Sequence, residues 1–302
     1  MPSTPAYIAV LLSSTFLMGS SFVAGKILLR GIPPFALVGG RFLLAGIAAA
    51  PLALLLGRER PRPRAIGRRH TSPASWPVLI AIGLLQTTAV MGLLFWSLAS
   101  IAPTDAAILL FTNPLWVALV APIFLAERLR TRGVVGLAVG AIGVVLAVGG
   151  MRTTALSGGA LALAASLAWT GATILTKRYA SQVNAWRLTC AQMLVGAAAL
   201  LLIARLVGQG WPARLSLAQW AWFLWLAIPA STGSFGLWFL ALRWGGAART
   251  SAYLFLVPVF TVLLAHLILG DPVMEAQIAG GVLIGAAVYL VNSAQGGGRS
   301  GT

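Results

Sequence analysis

Apolar stretches of about twenty residues recur along this whole sequence, and that pattern leaves few folds open. They fall at Ala6–Leu29, Pro34–Leu56, Pro77–Leu98, Asp105–Ala126, Arg132–Val148, Leu156–Tyr179, Ala185–Val207, Leu217–Leu242, Arg249–Leu269 and Met274–Asn292. At a rise of about 1.5 Å per residue each crosses a hydrocarbon core of about 30 Å, with a few boundary residues added to the shortest. Only 9% of the 302 residues are charged and 59% are hydrophobic, against about 25% charged in soluble domains. The surface of a soluble globule cannot be covered from this composition. The expected fold is an all-α polytopic membrane protein of ten transmembrane helices. No segment outside the stretches is long enough to fold alone.

The start, MPSTPAYIAV, has no basic region before its apolar run, so the first stretch is expected to stay as a helix rather than act as a cleaved signal. The single cysteine, Cys190, rules out an internal disulfide.

The formal charge of +16 does not indicate a nucleic-acid partner, because the arginines cluster at the ends of the stretches and no basic domain exists. Orientation explains them better. Placing GRERPRPRAIGRRH on the cytoplasmic side puts both termini there, with fifteen basic residues inside and five outside. The residue left over is Arg41, within the second stretch. This bias is the expected signature of an inner-membrane protein with cytoplasmic termini.

The sequence also repeats. Shifted by 144 residues, LLFTNPLWVALVAPIFLAERL falls on YLFLVPVFTVLLAHLILGDPV, pairing Pro114 with Pro258 and Phe111 with Phe255. Thr87 and Thr88 fall on Ser231 and Thr232 at the same shift. Shifted by 151, MGSSFVAGK falls on WTGATILTK, and Arg41 pairs with Gln192. Residues 1–150 and 151–302 therefore read as two five-helix repeats. Five is odd, so the second repeat is inverted, an architecture in which transporters bind substrate near the bilayer midplane. The matched prolines remove a backbone bond at the same depth in both halves, which is expected to kink the helices beside a cavity.

This order of features, with AERLRTRGVVGLAVGAIGVVL and GDPVMEAQIAGGVLIGAAVYL closing the two halves, resembles the EamA-type members of the drug/metabolite transporter superfamily. The resemblance covers essentially the whole chain. It implies ten helices around a central cavity and movement of small metabolites across the inner membrane. Bacterial members include exporters of amino acids, aromatic ones among them. One departure is Asp271-Pro272, where the family commonly has Glu.

Polar groups at bilayer depth are costly, so each is a candidate for ligand contact or for bonding between helices. The candidate substrate-binding residues are Ser14, Met18, Gln86, Thr88, Asn113, Trp169, Thr232 and Arg41. The serines and threonines have an equally good alternative in bonding carbonyls of their own helix. Trp169 opens a WTG segment read as a break in the sixth helix, matching Met18-Gly19 in the first, and its ring can stack on an apolar ligand. For Trp116, core packing is the default. Arg41 lies about 12 Å into the second stretch. It can grip a carboxylate with both prongs, while bonding to neighbouring carbonyls is the more frequent role. Gly136-x-x-x-Gly140 and Gly281-x-x-x-Gly285 are read as close helix contacts within the chain, with a dimer contact as the rival.

All five acids fall at loops or helix ends, so no mid-membrane carboxylate is available for ion coupling. His266 is the one membrane-embedded group that titrates near neutral pH. The expectation is a facilitator or exporter of amino acids with apolar or aromatic side chains. The alternative is an exporter of other metabolites or drug-like cations, with proton coupling through His266. No cofactor or metal is expected, and a monomer is expected in preference to a dimer. Motifs of intramembrane enzymes are absent, and a scaffold leaves the duplication unexplained.

Overall fold

The computed structural model describes residues 4–56, 76–125, 131–149, 155–179, 183–245 and 252–296. The arginine-rich segment GRERPRPRAIGRRH and Glu127 lie outside them. Among the described residues every regular element is helical, and ten helical spans follow the ten apolar stretches.

Five spans are continuous and apolar enough to cross a membrane by length and composition: Pro5–Leu28, Pro34–Leu55, Trp76–Ser100, Leu156–Thr176 and Trp186–Leu206. These lie in the first, second, third, sixth and seventh helices. The fourth span is two segments, Pro103–Leu110 and Asn113–Leu125. The fifth helix is Thr131–Gly149 and the tenth Glu275–Gly296. The eighth span joins Leu217–Ala227 to Ser234–Gly245 through a wider turn, Ile228–Gly233. The ninth runs Ala252–Phe255, Leu256–Leu264 and Ala265–Leu269.

Helix ends are set by local chemistry. Ser216 and Gln219 form a reciprocal cap at the start of the eighth helix, with bonds of 2.9 and 3.2 Å between side chains and backbone N–H groups. Pro103 opens the fourth span, where its missing N–H costs nothing. Gly208 and Gly270 follow the seventh and ninth helices at φ 71° and 70°, a left-handed conformation that glycine adopts without strain. Gln209 then accepts from the Phe35 N–H at 2.9 Å, tying the seventh helix's exit to the second helix's start.

The packing pairs corresponding elements. The second helix lies along the seventh and the fifth along the tenth. The first helix packs on the eighth and ninth, and the sixth packs on the third and fourth. The largest core cluster lies among these central helices, around Phe42, Phe95, Leu37, Leu98, Leu109 and Leu200.

Backbone irregularities also recur at matching places. Residues Leu84–Ala89 of the third helix and Ile228–Gly233 of the eighth form π-helical turns, related by the 144-residue shift. The fourth span breaks at Phe111–Thr112, one residue ahead of Asn113-Pro114, and the ninth changes from 3₁₀ to α after Phe255. Phe111 and Phe255 are the same residue of the repeat. A proline cannot accept the preceding turn without distortion, so these are the expected places for the helix to open.

One expectation is overturned. The WTG segment and Met18-Gly19 are not breaks: the sixth and first helices run unbroken through them. Glycine there serves approach instead. A Cβ at Gly19 would sit 3.0 Å from the Val257 carbonyl and 2.9 Å from the Phe260 Cβ, so the ninth helix lies directly on the first. Gly171 has open space around it, so the threonine and tryptophan before it need no gap.

The glycine-spaced contacts of the fifth and tenth helices lie within the chain, and Gly140 is among them. A Cβ at Gly143 would meet the Gly280 carbonyl at 2.9 Å and the Ile284 nitrogen at 3.0 Å. A Cβ at Gly140 would press on the Leu115 side chain and lie 3.2 Å from the Ala287 Cβ of the tenth helix, while Gly281 keeps an ordinary 3.8 Å from Ile108.

Candidate functional site

Two buried polar clusters occupy the middle of the bundle. The first involves the first, second and eighth helices. Arg41 is 3% exposed, and its Nε donates to Ser231 Oγ at 2.7 Å. Ser231, in the π turn, donates to the Leu226 carbonyl just ahead of it at 2.7 Å. Ser14 donates to the Ser234 carbonyl at 2.9 Å, and Thr232 to the Ala45 carbonyl at 3.0 Å. The guanidinium carbon lies 4.8 Å from the Phe42 ring centre and 5.3 Å from that of Phe95. Such aromatic faces partly compensate a buried cation.

The second cluster joins the fourth and sixth helices. Asn113 Nδ2 donates to Thr170 Oγ1 at 3.0 Å and to the Ser166 carbonyl at 3.3 Å. Thr112 and Ser166 share a hydroxyl contact of 3.0 Å, and Trp116 Nε1 donates to Thr112 Oγ1 at 3.0 Å. Beside them the Trp169 ring packs edge-on against Phe111 at 5.7 Å, next to the break in the fourth span. At the break itself Thr112 Oγ1 donates to the Leu109 carbonyl at 2.7 Å, which keeps that carbonyl satisfied in a dry interior.

The candidate residues thus divide. Ser14, Thr232 and Asn113 are buried, with their polar atoms bonded to neighbouring helices. Thr88 is half-buried and donates to the Gly196 carbonyl at 3.3 Å. Met18, Gln86 and Trp169 are half-buried. Arg41 belongs to the first cluster, Asn113 and Trp169 to the second, and no contact brings the eight residues to one point.

Several polar groups carry structure rather than a ligand. Lys26 Nζ donates to the Leu98 and Ile101 carbonyls at 2.8 Å each, closing the end of the third helix. Gln277 Nε2 donates to Asp105, joining the tenth helix to the fourth. His266 is exposed and its Nδ1 lies 3.1 Å from the Asp271 carbonyl. A cavity of about 200 Å³ opens between the first, eighth and ninth helices, lined by Phe16, Ser20, Val23, Trp222, Trp225 and Leu264 among others. Trp225 Nε1 donates to Ser20 Oγ at 3.0 Å on its wall.

Sequence reasoning missed the role of Ser231 as the partner of Arg41. The 144-residue match had placed Ser231 at mid-depth, but which helix faces which is not written in either stretch.

The family model described as "EamA-like transporter family" matches twice, over residues 5–149 and again over 156–293. The chain belongs to the EamA-like transporter family. It is 26% identical over 285 residues to the uncharacterized transporter YoaV of Bacillus subtilis, covering 93% of this chain and 94% of that one. It is 27% identical over 274 residues to a probable terminal-alkyne amino-acid exporter of Streptantibioticus cattleyicolor, covering 90% and 89%. A solved crystal structure of a protein 20% identical superposes with a TM-score of 0.67, over 97% of this chain and 99% of that chain, and shares the fold. The chain is therefore a multi-pass membrane transporter and not an enzyme.

Proposed function

We propose that this transporter moves amino acids with apolar or aromatic side chains across a bacterial inner membrane by alternating access, without a coupling ion. The carrying observation is the Trp169–Phe111 pair, an edge-on aromatic contact set at the break of the fourth span. An amphipathic indole, half-buried beside a bent helix, offers an apolar face that a substrate side chain can stack on. Met18 and Gln86 add further half-buried surface at mid-depth. Half-buried surface of this kind, mostly apolar with few polar groups, suits a ligand with a compact polar end and an apolar body. A relative named as an exporter of amino acids points the same way.

Alternating access rests on the duplication. The family model matches each half separately, and the contacts of the first helix with the eighth and ninth repeat as those of the sixth with the third and fourth. An inverted second half, with both termini cytoplasmic, lets one set of contacts open as its counterpart closes. Ion coupling calls for a buried carboxylate at mid-membrane. The described acids instead sit in the first turn of the fourth span and around the start of the tenth helix. The protein works as a monomer on a small-molecule substrate.

The test is uptake by proteoliposomes against a panel of labelled phenylalanine, tryptophan, leucine, arginine and a hydrophobic cation. Flux of the first three, with little of the last two, supports the reading. Flux of the cation alone would transfer the role to drug-like cations.

A further inference from the structure

We infer that Arg41 is the carboxylate-binding residue of the transporter and that Ser231 positions it, which deepens the reading above and rests on it for the identity of the substrate's remainder. Arg41 is 3% exposed. Its sole hydrogen bond to a described protein group is the one from Nε to Ser231 Oγ at 2.7 Å, and among the described residues no charged side chain lies near enough to act on it. An ionised guanidinium withdrawn from water is unfavourable unless an anion accompanies it. The Phe42 and Phe95 rings, at 4.8 and 5.3 Å, supply only part of that compensation.

The geometry also selects the edge that an anion meets. A guanidinium offers five N–H donors in a fixed plane. Ser231 takes Nε, so the side-on edge is occupied. The end-on edge, formed by the two Nη groups, has no described protein partner, and it matches the two oxygens of a carboxylate. Ser231 cannot swing away cheaply, because its own O–H donates to the Leu226 carbonyl at 2.7 Å across the π turn. π turns of this kind often mark functional positions in helices.

The counterpart residues lack this arrangement. Gln192 stands where the repeat would place a second arginine and Thr87 where it would place a second Ser231. Neither can present a cation. The repeat thus places an anion-binding position on the second helix with no counterpart on the seventh.

The experiment uses the full-length protein in lipid nanodiscs and reads the thermal unfolding midpoint against concentration for four compounds. These are phenylalanine, phenylalaninamide, 3-phenylpropionate and phenethylamine. The two carboxylates should bind, and the amide and the amine should bind about tenfold more weakly or worse, the loss expected for one charge-assisted contact. Arg41→Gln should remove that difference and Arg41→Lys should recover part of it. Ser231→Ala should keep the preference for carboxylates while weakening it several-fold. Binding of 3-phenylpropionate through Arg41 with none by phenylalanine would uphold the site and remove the amino-acid reading. Equal binding by phenylalanine and its amide would overturn the inference. So would carboxylate binding that survives Arg41→Gln, or a folded wild type that responds to neither carboxylate.

Discussion

The hydroxyl of Thr232 donates to the carbonyl of Ala45 at 3.0 Å, fastening the π turn of the eighth helix to the second. Its counterpart fastens the π turn of the third helix to the seventh: Thr88 donates to Gly196 at 3.3 Å. Thr88 and Thr232 differ by 144, Ala45 and Gly196 by 151, the two offsets of the repeat. The same bond is therefore made twice by residues that share no stretch of sequence. Interhelical bonds of this type contribute about 0.6 kcal/mol on average and up to about 1.7 kcal/mol. Thr232→Val and Thr88→Val should each destabilise by that amount, and the two losses should add, because the sites are separate. Unfolding by a denaturing detergent, followed for both single variants and the double, checks this.

Gly143 should tolerate no side chain. A Cβ there meets the Gly280 carbonyl at 2.9 Å, backbone that cannot move aside without separating the fifth and tenth helices. Gly143→Ala should cost about 1–3 kcal/mol, the range for overpacking. Gly171→Ala, with nothing within 4 Å, should instead gain up to about 1 kcal/mol from helix propensity. The same unfolding measurement gives opposite signs if the packing is as described.

Thr189 Oγ1 is a buried hydroxyl with no hydrogen-bond partner among the described residues. A buried polar atom left unsatisfied is unfavourable. Thr189→Val keeps the shape and removes that atom, so it should stabilise the protein by about 1 kcal/mol, read as a raised Tm. A lowered Tm would mean that the hydroxyl has a bonding partner in the membrane.

Trp169→Ala should weaken uptake of aromatic amino acids about two- to tenfold, since stacking adds about 0.5–1.5 kcal/mol beyond buried area. Trp169→Phe should retain most of it. Flux measured in proteoliposomes against leucine uptake separates lost stacking from general damage.

Much of the architecture was legible because hydrophobic length is written directly in the residues. The ten stretches mark the ten spans, and the pairing of Pro114 with Pro258 marks where the fourth breaks and the ninth changes from 3₁₀ to α. The π turns were not legible. A shift from i→i−4 to i→i−5 bonding leaves hydropathy unchanged, so Leu84–Ala89 reads like any other apolar turn. The WTG segment failed for the opposite reason: glycine and threonine in a row look like a break, yet the helix keeps its backbone bonds through them. At mid-depth, residue type marked the polar positions. It did not say that Ser14 and Thr232 would spend their hydroxyls on carbonyls, or that Arg41 would find Ser231, because those partners lie about 190 and 220 residues away along the chain.

The central claim is that the protein facilitates amino-acid movement with no ion gradient. The most direct measurement is counterflow of labelled phenylalanine into proteoliposomes preloaded with unlabelled phenylalanine, with identical buffer and pH on both sides. The account predicts transient accumulation of label above equilibrium, unchanged in His266→Gln because that ring is exposed and its Nδ1 lies against the Asp271 carbonyl. Absence of counterflow, followed by uptake once a proton gradient is imposed and lost in His266→Gln, would contradict it.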